Sequence, residues 1–236
     1  MRVLYVNPRS GEGRGSEVAN EAERRGIRVL DLGDEAPAEA SAVGVAGGDG
    51  SLAGVARIAV EREIPFACVP CGTRNHFARD VGLDLDDPLG ALDAYDGAER
   101  RVDIGEVAER FFLNNVSLGA YALWRHGRLG EFLDRRRRNA IVDGRPLDAA
   151  VLLVSNNAYD RLGRRARLDE GVLGIYATAG FLPTVAIERK ALGFELEFPK
   201  LREVEAAIDG EPVTLPGRLA PRVRPLELRL LVPPKL

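Results

Sequence analysis

Residues 43–60 read VGVAGGDGSLAGVARIAV, and their pattern indicates the fold class. The apolar run at its start predicts a buried strand, and three glycines around Asp49 follow that strand directly. Apolar residues then recur at helical spacing, at Leu52, Val55, Ala56, Ala59 and Val60. A strand, a glycine-rich turn and a helix in this order predict part of a parallel sheet that is covered by helices.

The same alternation continues on both sides of this stretch. Further strand-like runs occupy residues 2–7, 27–30 and 66–69. A helix is predicted over residues 16–25, with Ser16 as its N-cap and Gly26 just past its end. A short helical pattern follows residues 84–87. Together these elements predict one compact α/β unit at the start of the chain.

The second half of the sequence has a different pattern, in which short β-type runs are separated by Gly, Asn, Asp and Pro. These runs cover residues 110–116, 149–155, 172–178, 194–198 and 226–232. Such spacing is typical of an all-β domain. The chain of 236 residues is therefore expected to form an α/β part followed by an all-β part.

Composition and charge exclude several classes of protein. The sequence has 33 basic and 36 acidic residues, a net charge of −3, whereas nucleic-acid-binding domains usually carry a basic excess. We therefore expect no nucleic-acid partner. No apolar run approaches the ~20 residues that cross a bilayer, and the first residues lack the pattern of a secretory signal. A cytoplasmic location is the simplest expectation.

Cys68 and Cys71 are the two cysteines of the chain, and they form a C-x-x-C arrangement. This spacing is compatible with a redox pair or with half of a zinc site. A structural zinc needs about four ligands, however, and the chain contains only two histidines, His76 and His126. Two buried or half-buried thiols are the favoured interpretation.

Three polar turns follow predicted strands of the α/β part, where parallel sheets bind ligands. The first begins at Asn7, and its small residues either let the backbone approach a phosphate or form a plain strand-to-helix turn. The second contains Asp49, which suits Mg²⁺, a ribose or a phosphate-bound water, or else caps the helix. The third offers Thr73 and Asn75, as ligand-binding groups or as caps. Because the strands end at one edge, the turns converge on one candidate site.

Six short motifs occur in order along the chain. They are NPRSG at 7–11, GGDGS at 47–51, PCGTRN at 70–75, FFLNNVSLGA at 111–120, LDEG at 168–171 and IDGE at 208–211. The last of them is also compatible with a surface hairpin turn. In this order the motifs resemble the diacylglycerol kinase catalytic-domain family, bacterial lipid kinases related to sphingosine kinases and more distantly to NAD kinases.

The resemblance implies both a fold and an activity. The fold is an N-terminal Rossmann-like nucleotide-binding domain over residues 1–100 and a C-terminal β-sandwich domain for the lipid substrate over residues 101–225. A last strand near residues 226–236 returns to the first domain, and the active site lies in the cleft between the domains. The activity is ATP- and Mg²⁺-dependent transfer of the γ-phosphoryl group to a hydroxyl of diacylglycerol or a similar lipid.

Residue by residue, the resemblance implies three roles. ATP-contacting positions match Asn7, Pro8, Arg9, Ser10, Gly11, Gly48, Asp49, Gly50, Ser51, Thr73 and Asn75. Glu211 matches the general base, with Asp209 as the next candidate and Asp49 as a further catalytic carboxylate. Glu170 matches a Mg²⁺-binding position at which Asp is usual, and Asp49 is the second candidate Mg²⁺ ligand.

Two residues depart from the family pattern. His76 stands where bacterial lipid kinases usually have Asp, and Gly54 stands where Glu commonly follows the GGDG segment. Both changes remove an acidic group from the expected site, which keeps open a nucleotide- or lipid-binding module without catalysis. Since NAD kinases share GGDG, an NAD-kinase-like enzyme with a soluble acceptor is the other alternative.

Residues 125–138 are rich in arginine, and Trp124 and Phe132 lie beside and among them. Basic and aromatic residues together favour the surface of an anionic membrane, where a lipid kinase meets its substrate. A solvated face that pairs with acidic neighbours is the alternative. We expect a cytoplasmic protein that associates peripherally with membranes, and the choice between a monomer and a homodimer stays open.

Overall fold

The computed structural model describes residues 1–7, 14–119, 138–149, 151–161, 163–178 and 185–234. This part of the chain divides into two compact units. The first unit comprises residues 1–102 together with the residues from 226 onward, and the second comprises residues 103–225. The boundary that the resemblance implies, between residues 100 and 101, therefore lies two residues before the observed one.

Strands make up most of the regular structure. In chain order they are β1 (Arg2–Val6), β2 (Arg28–Asp31), β3 (Ala42–Gly47), β4 (Phe66–Pro70), β5 (Ala98–Val107), β6 (Arg110–Phe112), β7 (Asn115–Gly119), β8 (Arg138–Val142), β9 (Arg145–Ala149), β10 (Val151–Asn156), β11 (Leu173–Thr178), β12 (Val185–Ala191), β13 (Leu196–Glu197), β14 (Glu203–Ile208), β15 (Glu211–Pro216), β16 (Arg218–Leu219) and β17 (Arg222–Val232). The helices are α1 (Arg14–Arg24), α2 (Asp49–Glu61), α3 (His76–Val81) and a 3₁₀ helix, Gly90–Asp96.

The first unit is built on a mostly parallel sheet, as residues 43–60 predict. Its strands lie in the order β2-β1-β3-β4-β17-β5. Each neighbouring pair from β2 to β17 is parallel, and Leu230 of β17 pairs with Phe66 of β4. Every residue of β3 and β4 is buried, which explains their continuous apolar runs, since parallel strands are covered on both faces.

The helix α2 follows β3 after a single residue, Gly48. Its buried residues recur every three or four positions, so that one face of the helix packs inward. These residues are Asp49, Leu52, Val55, Ala56 and Ala59. The predicted strand, turn and helix are therefore confirmed, and they place the GGDGS turn at the carboxyl end of β3.

The second unit contains two antiparallel sheets. One has the strand order β12-β11-β10-β7-β14-β15 and the other the order β16-β13-β8-β9. Both contribute to one hydrophobic core, in which Val116 and Leu118 of β7 belong to the same cluster as Val142 of β8 and Leu196 of β13. Two antiparallel sheets over a shared core form the packing of a β-sandwich. The chain as a whole therefore has a mixed α/β, sheet-rich fold.

Two predicted elements were wrong in their details. The helix α1 begins at Arg14, so Ser16 lies inside it and is not the N-cap. Gly15 is buried together with Val18 and Ala22, so it belongs to the packed face of this helix. The single strand predicted over residues 110–116 is in fact two strands, β6 and β7, with a turn at residues 113 and 114.

The prediction of a membrane contact at residues 125–138 lies outside the described residues, except for Arg138, with which β8 begins. Within the described ranges, no helix has the length and the apolar composition that crossing a membrane requires.

Candidate functional site

The ends of β1, β3 and β4 bring the predicted turns together. These three strands are parallel neighbours, so their carboxyl ends share one edge of the sheet. The Asn7 N–H donates to the Ala46 carbonyl at 3.1 Å, and the Cys71 N–H donates to the Gly47 carbonyl at 3.1 Å. The turn after β3 is thus joined to the end of β1 on one side and to the turn after β4 on the other.

Gly48 and Gly72 lie in direct contact where these two turns meet. A Cβ on Gly72 would lie 2.3 Å from Gly48 Cα and 2.8 Å from Gly48 N, and a Cβ on Gly48 would lie 3.2 Å from Gly72 Cα. No side chain fits at Gly72 without a shift of the backbone. The two glycines therefore allow the turns to approach closely, and we call residues 47–51 and 71–76 the paired turns.

Asp49 fastens the paired turns to each other. Its Oδ1 accepts the Phe77 N–H and its Oδ2 accepts the His76 N–H, both at 3.1 Å. His76 Nδ1 lies 3.0 Å from Oδ2 as well. Burial alone would raise the pKa of this carboxyl, but the hydrogen bonds from the His76 side chain and from the two backbone N–H groups outweigh burial and lower the pKa.

The other predicted ATP-contacting residues differ in their availability. Asn75 uses its amide within its own turn, where Oδ1 accepts the Gly72 N–H at 3.1 Å and Nδ2 donates to the Gly72 carbonyl at 2.8 Å. Thr73 and Gly50 are exposed, and Ser51 is half-buried in the first turn of α2. The remaining predicted positions, Pro8, Arg9, Ser10 and Gly11, lie outside the described residues.

The Mg²⁺ that the resemblance implies does not fit Asp49 as a direct ligand. A carboxylate offers about four lone-pair positions, and three N–H donors of α3 already face this one. Glu170 is exposed, and its N–H donates to Asn157 Oδ1 at 2.9 Å. In the described ranges, no three His, Cys, Asp or Glu side chains group together as metal ligands would. Glu170 stays a prediction.

In the second unit, Asp209 holds the turn between β6 and β7. Its Oδ2 accepts the Leu113 N–H at 2.8 Å, and its Oδ1 accepts the N–H groups of Asn114 at 2.8 Å and Asn115 at 2.9 Å. The Asp209 N–H donates back to the Asn115 carbonyl at 2.9 Å. Asp209 is buried. These contacts explain why residues 110–116 do not form one strand.

Glu211 lies two residues further along the chain, and its side chain differs from that of Asp209 in burial and in hydrogen bonding. It is the first residue of β15 and pairs with Ile208 of β14, whereas its side chain is exposed and makes no hydrogen bond or ion pair to another described residue. The intervening Gly210 has a φ of +92° and Asp209 a φ of +48°, so that the chain reverses tightly between β14 and β15. The IDGE motif thus presents one buried and one accessible carboxylate.

Sequence reasoning missed a buried polar cluster around Arg165. This arginine is 2% exposed. Its guanidinium donates to Asn114 Oδ1 at 2.7 Å, to the Asn156 carbonyl at 3.0 Å and to the Leu113 carbonyl. Arg165 therefore donates to oxygens of the same turn whose backbone N–H groups donate to Asp209. Nothing in the local sequence GRRARL distinguishes this arginine from its neighbours.

The two cysteines are buried free thiols, as the favoured interpretation holds. Burial raises the pKa of Cys68 above its ordinary value, and burial raises the pKa of Cys71 to about 11. Thiolate is the nucleophilic and metal-binding form, so neither cysteine is poised for such chemistry.

Comparison with known proteins supports the motif pattern. Residues 2–107 match the diacylglycerol kinase catalytic domain. A diacylglycerol kinase of Mycobacterium tuberculosis is 28% identical over 162 residues, which cover 56% of this chain and 52% of that protein. A "Probable lipid kinase YegS-like" protein of Pseudomonas aeruginosa is 40% identical over 120 residues, which cover 50% and 35% of the two chains. The chain spans about half the length, or less, of these curated relatives.

Solved structures share the fold over nearly the whole chain. The crystal structure of a diacylglycerol kinase from Bacillus anthracis str. Sterne has a TM-score of 0.71 at 18% identity, and the match covers 99% of this chain and 97% of that one. Another structure from the same strain gives a TM-score of 0.75 at 19% identity. At such identity the likeness shows the fold. Residues 2–107 are thus similar in sequence to the diacylglycerol kinase catalytic domain, and the chain shares its fold with the Bacillus anthracis structures.

Proposed function

We propose that this protein is a lipid kinase, which transfers the γ-phosphoryl group of ATP to a hydroxyl of diacylglycerol or a similar lipid. The observation that carries the proposal is the match of residues 2–107 to the diacylglycerol kinase catalytic domain. Relatives that are named diacylglycerol kinase or lipid kinase support it. The contact between the two glycine turns of that same region supports it too.

The nucleotide would bind at the paired turns. Glycines let a phosphate approach the backbone, and the helix α2 begins there behind Gly48, which provides no side-chain cap. The positive end of a helix dipole favours an anion at this position. Asn7, Ser51 and Thr73 lie at the same edge of the sheet and offer polar groups. Mg²⁺ would enter as the counter-ion of the ATP substrate and not as an ion bound by Asp49, while Glu170 stays the predicted Mg²⁺ ligand.

The transfer also needs a group that accepts a proton. The hydroxyl oxygen forms a bond to the γ-phosphorus, the bond from that phosphorus to ADP breaks, and the hydroxyl proton must leave. Glu211 suits this role because its exposed carboxylate has no partner among the described residues. Asp209 does not suit it, since its two oxygens already accept three N–H groups. We therefore assign proton acceptance to Glu211 and a structural role to Asp209.

The direct test is incubation of the purified protein with a lipid extract and ATP that is labelled at the γ-phosphate. We expect label in a phosphorylated lipid. Glu211→Gln should keep the affinity for ATP while kcat falls by about 10² or more. Thr214→Ala, an exposed change on the same strand, is the matched control and should leave kcat unchanged. Label that appears only in a soluble acceptor would contradict the lipid assignment.

A binding module without catalysis is the second candidate, and the departures at His76 and Gly54 favour it. His76 and Gly54 replace two acidic residues of the family pattern, and the carboxylate of Asp49 is already engaged by N–H groups. Calorimetry decides between the candidates. Saturable binding of ATP together with no labelled product from any lipid fraction would establish the binding module.

A further inference from the structure

Asp49 and His76 form a carboxylate–imidazole pair at the paired turns. Both the backbone N–H and Nδ1 of His76 contact the same oxygen, Asp49 Oδ2, at 3.1 and 3.0 Å. Two points of attachment, one on the backbone and one on the ring, fix the orientation of this side chain. The Asp49 side chain is 7% exposed and that of His76 is 40% exposed. The carboxylate is therefore interior, and the ring reaches solvent.

The second ring nitrogen of His76, Nε2, is available to bind a ligand. Among the residues that the structure describes, none forms a hydrogen bond or an ion pair with it. A carboxylate that holds one nitrogen of an imidazole orients the ring so that the other nitrogen faces a ligand, which is how many sites position a histidine. A ring N–H donates a hydrogen bond, which a phosphate oxygen accepts.

The charges at the paired turns favour an anionic ligand. Residues 47–51 and 71–76 carry one carboxylate, Asp49, and one side chain of permanent positive charge, Arg74. Since Asp49 is turned toward the N–H groups of α3, its oxygens are not offered to a ligand. A ligand that approaches these turns meets glycine backbone and an imidazole, which suits a phosphate group better than a metal cation.

We propose that His76 binds a phosphate group of the nucleotide through Nε2, and that Asp49 is the positioning residue that holds its ring. The proposal rests on the nucleotide binding argued under Proposed function. It gives Asp49 a role that differs from metal ligation, and it gives His76 a function that the acidic residue expected at that position would not have.

The first test uses the unaltered protein. Because the chain has two histidines, long-range ¹H–¹⁵N spectra contain only two sets of imidazole signals, and His126→Gln assigns them. The probes are ATP, tripolyphosphate and adenosine. We expect ATP and tripolyphosphate to shift the Nε2 signal of His76 and adenosine to leave it in place. Signals of His76 that stay unmoved while calorimetry shows bound ATP would overturn the proposal.

The second test is a double-mutant cycle with His76→Gln and Asp49→Asn. Each change should weaken ATP binding by about tenfold and leave the affinity for adenosine unchanged. The double variant should bind ATP no more weakly than His76→Gln alone, because Asp49 acts through His76. Effects that add would show that Asp49 acts independently, against the proposal. If Asp49→Asn fails to fold, the spectra of the unaltered protein still show whether His76 Nε2 contacts phosphate.

The outcomes separate this inference from the proposed function. Phosphorylated lipid together with an unmoved His76 signal overturns this inference alone. A His76 signal that tripolyphosphate shifts, without any phosphorylated lipid, supports the phosphate contact and contradicts the kinase activity. If neither ATP nor tripolyphosphate binds, both proposals are wrong.

Discussion

At the scale of single residues, Asp49 connects the GGDG motif to stability in acid. Its pKa is lowered in the folded protein, so its contribution to the free energy of unfolding is present above the unfolded pKa of about 3.9. That contribution is lost as the pH falls from there through the lower, folded pKa. We expect urea unfolding of Asp49→Asn to depend less on pH below about pH 4 than that of the unaltered protein.

The control for this prediction is Glu61→Gln. Glu61 forms an ion pair with Arg57, at 2.6 Å, in which both side chains are more than half exposed. Such pairs contribute little to stability. Its acid unfolding should therefore follow that of the unaltered protein. Equal acid sensitivity of Asp49→Asn and the unaltered protein would show that the hydrogen bonds of Asp49 do not lower its pKa.

Gly72 and Gly54 form a matched pair of glycines for the next prediction. A Cβ on Gly72 would meet the backbone of Gly48 at 2.3 Å, and a Cβ on Gly54, on the exposed side of α2, would meet nothing within 4 Å. Gly72→Ala should lower the free energy of unfolding by roughly 1–3 kcal/mol and weaken ATP binding. Gly54→Ala should raise it by about 0.5–1 kcal/mol, because alanine favours the helix.

Urea unfolding and calorimetry with ATP measure both effects. The close contact of the paired turns predicts opposite signs for the two changes. If both alanines stabilise the protein, the turns are not held in contact by Gly48 and Gly72.

At the scale of elements, the turn between β6 and β7 depends on the turn between β14 and β15. Asp209 accepts three backbone N–H groups there, whereas an asparagine would turn an NH₂ toward at least one of them. Asp209→Asn should lower the free energy of unfolding by roughly 1–3 kcal/mol. Glu211→Gln, two residues away and exposed, should change it by no more than about 0.5 kcal/mol.

Measurements of thermal unfolding and of kinetics together distinguish the roles of Asp209 and Glu211. Asp209→Asn should lower Tm, and Glu211→Gln should lower kcat without lowering Tm. A normal Tm for Asp209→Asn would remove its structural role and make it the next candidate for the general base.

The elements of the first unit were predictable, and those of the second unit were less so. β3 and β4 are buried on both faces and read as unbroken apolar runs. β12, β14 and β15 are antiparallel and carry Glu, Arg, Lys or Pro between their apolar residues, so the sequence did not distinguish them from loops. The break at residues 113 and 114 depends on Asp209, almost a hundred residues away, and no local pattern reports it.

At the scale of the whole molecule, the proposed acceptor lies in a membrane, so the proposed transfer requires contact with a membrane surface. The arginine-rich stretch at residues 125–138 is the predicted contact. Binding to vesicles should rise with the content of anionic lipid and fall with salt, because this attraction is screened within about 10 Å at 0.1 M. Replacing Arg135, Arg136, Arg137 and Arg138 by Gln together should reduce that dependence and leave the ATP affinity unchanged.

The binding to vesicles is measured by co-sedimentation with vesicles of graded phosphatidylserine content. Binding that depends neither on lipid charge nor on the four arginines would contradict the membrane contact and favour the alternative, a solvated face. The paired turns provide the control, since Gly72→Ala should weaken ATP binding without changing the amount of protein on the vesicles.

The candidate site was predictable in part, for reasons that belong to the whole fold. Parallel neighbouring strands end at one edge, so three turns that are far apart in sequence had to meet. The pairing of Asp49 with His76 was not predictable, because it depends on the small distance that Gly48 and Gly72 permit between two turns. Arg165 was missed for a similar reason, since its partners come from two separate segments of the second unit, residues 113–114 and Asn156.

The position of β17 has a consequence for the synthesis of the chain. This strand lies between β4 and β5 in the sheet, although β5 through β16 precede it in sequence. While the ribosome is still translating the second unit, β4 and β5 have no partner on their facing edges, and an unpaired strand edge invites aggregation. The sheet of the nascent first unit therefore stays incomplete until the second unit and β17 have been synthesised. Chaperones that shield open strand edges should matter most during that interval.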